Sequence, residues 1–402
     1  MRPFTATLSL AEARAQLEAH ARPIARTDRV ALTQAVGRVA SSDVASTIDV
    51  PPFARSAMDG YAVIVADTVA ASGSAPRRLR IVERIYTGAP PRASIVPGTC
   101  AEIATGAPLP HGADAVVMVE ETTAAPDDAV DICAPATAGQ NIGRRGADMA
   151  IGDLAVRAGD VLTPSRIGAL AAVGRAAVDV LAQPRVAILS TGNEVVEPGG
   201  ELTPGRIFDV NRFTLSAIVT MHGGIAQPHP PAHDTLDALT RAIDECADAD
   251  IIVFSGGSSV GERDLIVDAV AARGEMIFHG IAVKPGKPTA FATIGGVAFF
   301  GMPGNPTSCL SNAYILLIPF LRATAGLPPH QPHTLRLPLG QRIASQAGRH
   351  QFYTVRVLDG ITLPAFKGSG DITSLSRADG YIEIPADTSV VEEGALVDVT
   401  LF

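Results

Sequence analysis

The chain has no tryptophan, only 4% aromatic residues, four cysteines and no long apolar run. Each shortage excludes something. With so few aromatics, a stacking platform for nucleic-acid bases is not expected. The net charge of −9 argues against a broad nucleic-acid surface and gives no general attraction to anionic membranes. An anionic ligand would need a local basic pocket. Cys100, Cys133, Cys246 and Cys309 are isolated, without C-x-x-C or Cys/His clustering, so neither a zinc nor a redox site is indicated. Four reduced cysteines fit a cytoplasmic protein. The first residues, MRPFTATLSLAEARAQLEAHARP, contain no apolar h-region, so no signal peptide is expected. The longest apolar run, ILLIPFL at 315–321, is far short of the ~20 residues that span a bilayer.

What is present is length and hydrophobic content. At 402 residues with 47% hydrophobic side chains, the chain can form several domains with large cores. Residues 1–50 carry two amphipathic stretches and little glycine, which predicts helix, and Ser9 with Glu12 forms a capping box for a helix from about Leu10 to Ala21. From 51 to 145, short β-prone runs (YAVIVA, RLRIVERIY, TCAEIA, DAVVMVEET, AVDICAP) separated by Pro/Gly turns predict a β-rich inserted module. Residues 146–183 turn helical again, with Thr163 as N-cap and Pro164 in the first turn. From 184 to 326, the continuous apolar runs RVAILS, DIIVFS and GVAFFG alternate with helical patterns near 211–222, 235–248, 263–273 and 307–325. That is the signature of a doubly wound α/β domain with strands buried on both faces. Residues 327–402 return to short strands (TLRLPL, QFYTVRVL, YIEIP, LVDVTLF), a small C-terminal β domain.

In an open α/β sheet, ligands bind beyond the carboxyl ends of the strands, and four loops of 184–326 fall there. Ser190, Thr191 and Gly192 leave one strand, with Glu194 following; they form either an ordinary strand exit or an oxyanion site. The stretch SGGSSVGERD (255–264) nearly spells a phosphate loop, but Glu262 stands where the lysine of G-x-x-x-x-G-K-[ST] would be. Ser255, Gly256, Gly257 and Ser258 allow close backbone approach to a phosphate. Asp264, with Asp234, either holds Mg²⁺, a cation that takes oxygen ligands and bridges to phosphate, or is simply an acid favoured at a helix N-terminus. Lys284 and Lys287 flank a Pro-Gly turn and are either solvated or a local anion site. Pro303, Gly304 and Asn305 make a rigid turn, and Thr307 and Ser308 then open an apolar helix whose N-terminus favours an anion; mere turn chemistry gives the same pattern. The loops hold hydroxyls, backbone donors, lysines and acids, without an evident nucleophile–base pair. That inventory suits a phosphorylated ligand plus a metal ion, and chemistry by positioning and electrostatic stabilisation.

Seven stretches in sequence order carry a resemblance: PPFARSAMDGYAV (51–63), ATGAPLPHGADAVVMVE (104–120), NIGRRGAD (141–148), STGNEV (190–195), FSGGSSVGERD (254–264), VKPGKPTAF (283–291) and GMPGNPTS (301–308). Together they resemble the MoeA family of molybdopterin molybdenumtransferases, to which the gephyrin E-domain is related. The resemblance implies a four-part fold: a helical segment (1–50 with 146–183), an inserted β module (51–145), a molybdopterin-binding α/β domain (184–326) and a β-barrel-like C-terminal domain (327–402). It implies a cytoplasmic homodimer that takes adenylylated molybdopterin and molybdate, inserts molybdenum at the dithiolene with Mg²⁺ and releases AMP, with possible transient contact with a molybdopterin adenylyltransferase.

Carried onto this sequence, the resemblance marks Asp59, Thr105 and Asp148 as positions tied to activity, contributed in a dimer by the partner subunit. It marks Glu194, Asp234 and Asp264 as acids of the α/β domain, with Asp234 and Asp264 on the metal. Lys284, Lys287, Pro303, Gly304, Asn305 and Ser308 match anion-binding loops, and the 255–264 stretch would cradle the pyrophosphate. Arg349 and the Gly368-Ser369-Gly370 turn, with Ser374, match positions facing molybdate. Each has a plainer reading: Asp59 as a turn residue before Gly60, Thr105 as a strand-end hydroxyl, Asp148 as a partner of Arg144 or Arg145, Arg349 as a solvated cation. The run Ala54-Arg55-Ser56 departs from the family pattern, as does Gly280, where some relatives carry a basic residue. Alternative functions are a member specialised for tungstate, an adenylyltransferase-like enzyme, and a binding scaffold.

Overall fold

The computed structural model describes residues 7–256, 265–271 and 273–402. The chain forms two compact units, one of Arg29–Val36 with Ala40–Asp179, the other of the chain up to Asp28, Gly37–Val39 and Val180–Phe402.

The first unit is built on a six-stranded sheet in the order 115–118, 60–63, 99–103, 77–85, 129–132, 122–125. All neighbours are antiparallel except the pair 77–85 and 99–103. The five β-prone runs of the sequence supply five of these strands; the sixth, Thr122–Ala125, begins only where the run DAVVMVEET ends. Val63, Leu79, Cys100, Val117, Val130 and Ile132 pack on one side, and Ala62, Ile85, Ala101, Ile103 and Val116 on the other, because successive side chains of a strand alternate faces.

The helix after Thr163 is shorter than its sequence pattern. It spans Pro164–Ala172, with the Thr163 hydroxyl accepting the Arg166 N–H. Gly174, at φ +78°, then ends it. Gly174 N–H reaches Ala171 O, and Arg175 N–H reaches Leu170 O, the two bonds of a Schellman cap. The apolar residues beyond, Ala177–Leu181, form a strand instead.

The second unit contains a six-stranded sheet in the order 225–228, 185–190, 251–255, 297–302, 290–294, 274–279. The first four strands are parallel and the last two antiparallel. The three continuous apolar runs are the three adjacent inner strands, as burial on both faces requires. Val186, Ile188, Ile251, Val253 and Phe300 meet the helices Leu10–His20, Asn211–Met221 and 306–324. Ala187, Leu189, Ile252, Phe254 and Phe299 meet Leu236–Asp244 and Leu265–Ala271 on the opposite face. Burying a phenylalanine such as Phe299 or Phe300, both fully enclosed, contributes roughly 1.5–3 kcal/mol.

The predicted N-terminal capping box is present: Ser9 accepts from Glu12 N–H, and the Glu12 carboxylate reaches back to Ser9. Leu10, Ala13 and Leu17 of that helix are buried in the α/β core. The second stretch of 1–50 is not a helix. Pro23 follows the first helix closely and disfavours the helical backbone before it, and Thr27–Ala31 is a strand.

The four predicted C-terminal runs are strands 334–338, 350–358, 380–384 and 396–401. Their sheet has a further strand, Val283–Lys284, paired in parallel with His350 and Gln351. The α/β domain therefore contributes a lysine to the edge of the C-terminal sheet.

Among the described residues, no helix is long and apolar enough to cross a membrane.

Candidate active site

The ends of three parallel strands lie in register, with Ser190 opposite Ser255 and Ser255 opposite Met302. The loops that follow are packed backbone against backbone. Gly256 has φ +112°, and a Cβ there would stand 2.5 Å from the Thr191 carbonyl oxygen. A Cβ on Gly304 would meet Gly256 Cα at 3.5 Å. Glycine is therefore required at Gly256, and the chain at Thr191, Gly256 and Gly304 forms one surface. Thr191 is buried, and its Oγ1 has no hydrogen-bond partner among the described residues, an arrangement that costs free energy unless a further group, ligand or water completes it.

Behind this surface is a polar network that the sequence reading did not single out. Ser190 Oγ donates to Asp209 Oδ2 at 2.8 Å, and Asp209 Oδ1 accepts the Arg212 N–H at 3.1 Å, capping the Asn211–Met221 helix. Arg212 Nε lies 3.4 Å from Asp209 Oδ2, the two side chains being 7% and 2% exposed. The Arg212 guanidinium also pairs with Glu197 and donates to the His229 carbonyl at 3.1 Å. Asn211 Nδ2 donates to Ser255 Oγ at 2.7 Å and to Gly304 O at 2.8 Å. One asparagine thus ties two strand-end loops together. Its only sequence signal was D-V-N-R at the start of an apolar helical pattern.

Other predicted residues lie around this surface. Glu194 and Asp234 are exposed. Asp234 follows Ala232, whose N–H bonds Ser190 O at 2.8 Å and which bridges Thr191. Pro303 and Ser308 are buried, Ser308 in the first turn of Pro306–Asn312. Lys284 and Lys287 are half-buried at either end of their turn. Lys284 pairs with Gln351, and Arg349 lies in the bend just before that strand, which begins at His350.

The PGN turn also meets the glycine-serine turn of the C-terminal sheet. Asn305 Nδ2 donates to Ser369 Oγ at 3.2 Å, and Thr307 N–H to Ser369 O at 3.1 Å. Ser374 is fully buried, and its Oγ accepts the Lys367 N–H at 3.0 Å; it braces this turn from within. Gly257, Ser258 and Asp264 lie outside the described residues.

In the unit built on Arg29–Val36 and Ala40–Asp179, Asp59 and Thr105 come together. Asp59 Oδ1 accepts the Thr105 N–H at 2.7 Å, and the hydrogen bonds from Thr105 hold the Asp59 carboxyl below its usual pKa. The two loops are cross-tied through Ser56 and Gly106. Asp148 sits on the stretch that bonds Val50, its own N–H meeting Val50 O at 3.0 Å. Its carboxylate is exposed, and Arg145 pairs with Asp49 instead. A cleft of about 260 Å³ beside Asp59 is lined by Tyr61, Arg84, Tyr86, Glu102 and Val119.

The chemistry these groups permit is binding and charge stabilisation. Cys309, next to the Asn211–Ser255 contact, is wholly buried, and burial pushes its thiol up to about 12, so it is no thiolate nucleophile at neutral pH. Among the described residues, no group of three or more His, Cys, Asp or Glu could hold a metal. Thr191 and Asp234 offer oxygen donors, the ligand type that Mg²⁺ takes.

Three family models match in succession: the MoeA N-terminal region (domain I and II) over 8–174, a probable molybdopterin binding domain over 187–323, and the MoeA C-terminal region (domain IV) over 336–402. The chain is 36% identical over 382 residues to molybdopterin molybdenumtransferase 2 of Mycobacterium tuberculosis, covering 92% of this chain and 94% of the relative. It is 31% identical over 385 residues to the molybdopterin molybdenumtransferase of Haemophilus influenzae, covering 94% of each. A crystal structure of a molybdopterin biosynthesis MoeA protein from Pyrococcus horikosii superposes with a TM-score of 0.86 at 36% identity, over 98% of this chain and 99% of that one.

Proposed function

The chain belongs to the MoeA family of molybdopterin molybdenumtransferases, and from that premise we propose that it transfers molybdenum from molybdate to adenylylated molybdopterin and releases AMP, with Mg²⁺ required. The observation that carries this reading is the surface formed by the three strand ends. There Gly256 packs its backbone against Thr191 and Asn211 locks Ser255 to Gly304. Among the described residues, the buried Thr191 hydroxyl has no hydrogen-bond partner.

On this reading, the backbone at Gly256, Gly257 and Ser258 and the hydroxyls of Ser190, Thr191 and Ser255 hold the pyrophosphate. Lys284, Lys287 and Arg349 supply local positive charge, and they bind the tetrahedral oxyanion with the help of Ser369. Asn305 keeps Ser369 in position, and Ser374 braces its turn. The dithiolene sulfurs of the substrate take the metal, so the chain needs no nucleophile. Asp234 and Asp264 would hold Mg²⁺, which when bound neutralises pyrophosphate charge and favours departure of AMP. Glu194 borders the same surface, and Asp59, Thr105 and Asp148 belong to the machinery through the family positions they match. A cytoplasmic homodimer, a passing contact with a molybdopterin adenylyltransferase, and the four-part division at 1–50 with 146–183, 51–145, 184–326 and 327–402 belong to the same proposal.

The test is a turnover assay with purified protein, adenylylated molybdopterin, Mg²⁺ and molybdate, following AMP release and active cofactor. AMP release that depends on molybdate is expected. Release with tungstate alone would move the reading to a tungsten-specific member. Substrate binding without release under either oxyanion would replace the enzyme with a carrier.

A further inference from the structure

We propose that Asn312 is a positioning residue that holds the Lys284–Lys287 turn in its working conformation. The inference rests on the reading of these lysines as anion ligands. Asn312 is the last residue of the Pro306–Asn312 helix and is fully buried. A π-helical turn, Ala313–Leu317, follows it directly, a local widening of the helix that is frequent at functional sites.

A buried amide is unfavourable unless it is hydrogen-bonded. Asn312 Nδ2 donates to Gly286 O at 2.9 Å and to Thr289 Oγ1. Thr289 Oγ1, itself fully buried, donates to Gly286 O at 2.8 Å. Two side chains, themselves hydrogen-bonded to each other, thus close on the carbonyl between the two lysines. The contact is tight on the other side as well: Gly286 has φ +105°, and a Cβ there would stand 2.2 Å from Asn312 Nδ2.

The turn is otherwise closed by two backbone bonds to one acceptor. Ile281 N–H and Thr289 N–H both reach Lys287 O at 2.9 Å. Lys284, at its other end, is fixed by pairing with Gln351. Asn312 is therefore the side chain that sets the separation and direction of the two lysines, without touching a ligand itself.

The experiment compares the full-length chain with Asn312→Leu, which fills the volume but removes both donors. A second, milder variant, Thr289→Val, removes only the shared hydroxyl and carries the test if the first does not fold. Amide hydrogen exchange is followed in peptides covering 280–290 and, as an internal reference, 251–255. Tungstate binding is measured by calorimetry. Asn312→Leu is expected to speed exchange at Ile281 and Thr289 about 10-fold or more with the reference unchanged, and to weaken tungstate binding by a similar factor; Thr289→Val falls between. Unchanged exchange in 280–290 overturns the proposal, as does faster exchange with wild-type tungstate affinity. If the wild-type chain binds no tungstate, the reading of the lysines as an oxyanion site fails, and the exchange comparison still decides whether Asn312 holds the turn.

Discussion

Asp59 Oδ1 accepts the Thr105 N–H at 2.7 Å across 46 residues of sequence, which joins two loops matched to the family by separate motifs. Asp59→Asn keeps the size of the side chain and weakens the acceptor. Turnover is expected to fall about 10-fold or more with little change in the unfolding midpoint, measured by AMP release and calorimetry. The Asp59 pKa is depressed by its bonds to Thr105. The contribution of this tie is therefore present above the unfolded carboxylate pKa, near 3.8, and is lost as pH falls through the lower folded value. Activity that already declined between pH 7 and 5 because of Asp59 would contradict this.

Among the described residues, Arg212 is the counter-charge of Asp209, in a pair whose side chains are 7% and 2% exposed. Arg212→Met leaves a buried carboxylate uncompensated. It should cost about 3–5 kcal/mol in denaturant unfolding, and the double variant with Asp209→Asn should recover part of that loss. A cost under about 1 kcal/mol would mean that water reaches Asp209.

His222 packs edge-on against His330, with ring centroids 4.9 Å apart. Burial, then the charges of His330 and Arg322, lower its pKa from 6.5 to about 4. The unfolded chain therefore binds this proton first, and stability falls as pH drops from about 6.5 to about 4. The expected loss is on the order of 2 kcal/mol, and His222→Phe should flatten the dependence in that window. An equally steep pH profile in His222→Phe would assign the effect to other groups.

Asp234 is exposed beside the strand ends. Asp234→Ala is expected to raise the Mg²⁺ concentration for half-maximal turnover about 10-fold and to leave the circular dichroism spectrum unchanged. An unaltered Mg²⁺ requirement would remove Asp234 from the ligand set.

The strongest local signals were reliable because their physics is local. A capping box needs only Ser9 and Glu12, and it forms. Burial on both faces demands uninterrupted apolar residues, so RVAILS, DIIVFS and GVAFFG identified the three adjacent inner strands. The pattern failed where two elements share one composition. The apolar residues after Pro164 continue past Ala172, but Gly174 turns the backbone left-handed and Ala177–Leu181 becomes a strand.

Composition and motif order by themselves determined the family, the α/β centre between β-rich parts, and most of the residues at the strand ends. The tertiary structure decided which side chains make that surface rigid. Asn211, Asp209, Arg212 and Asn312 stand in or beside helices that read as apolar packing elements. Their partners (Ser255, Ser190, Glu197, Gly286) are 44, 19, 15 and 26 positions away. A buried polar group is recognisable only when the groups that satisfy it are in view, and chain folding, not sequence spacing, brings them together.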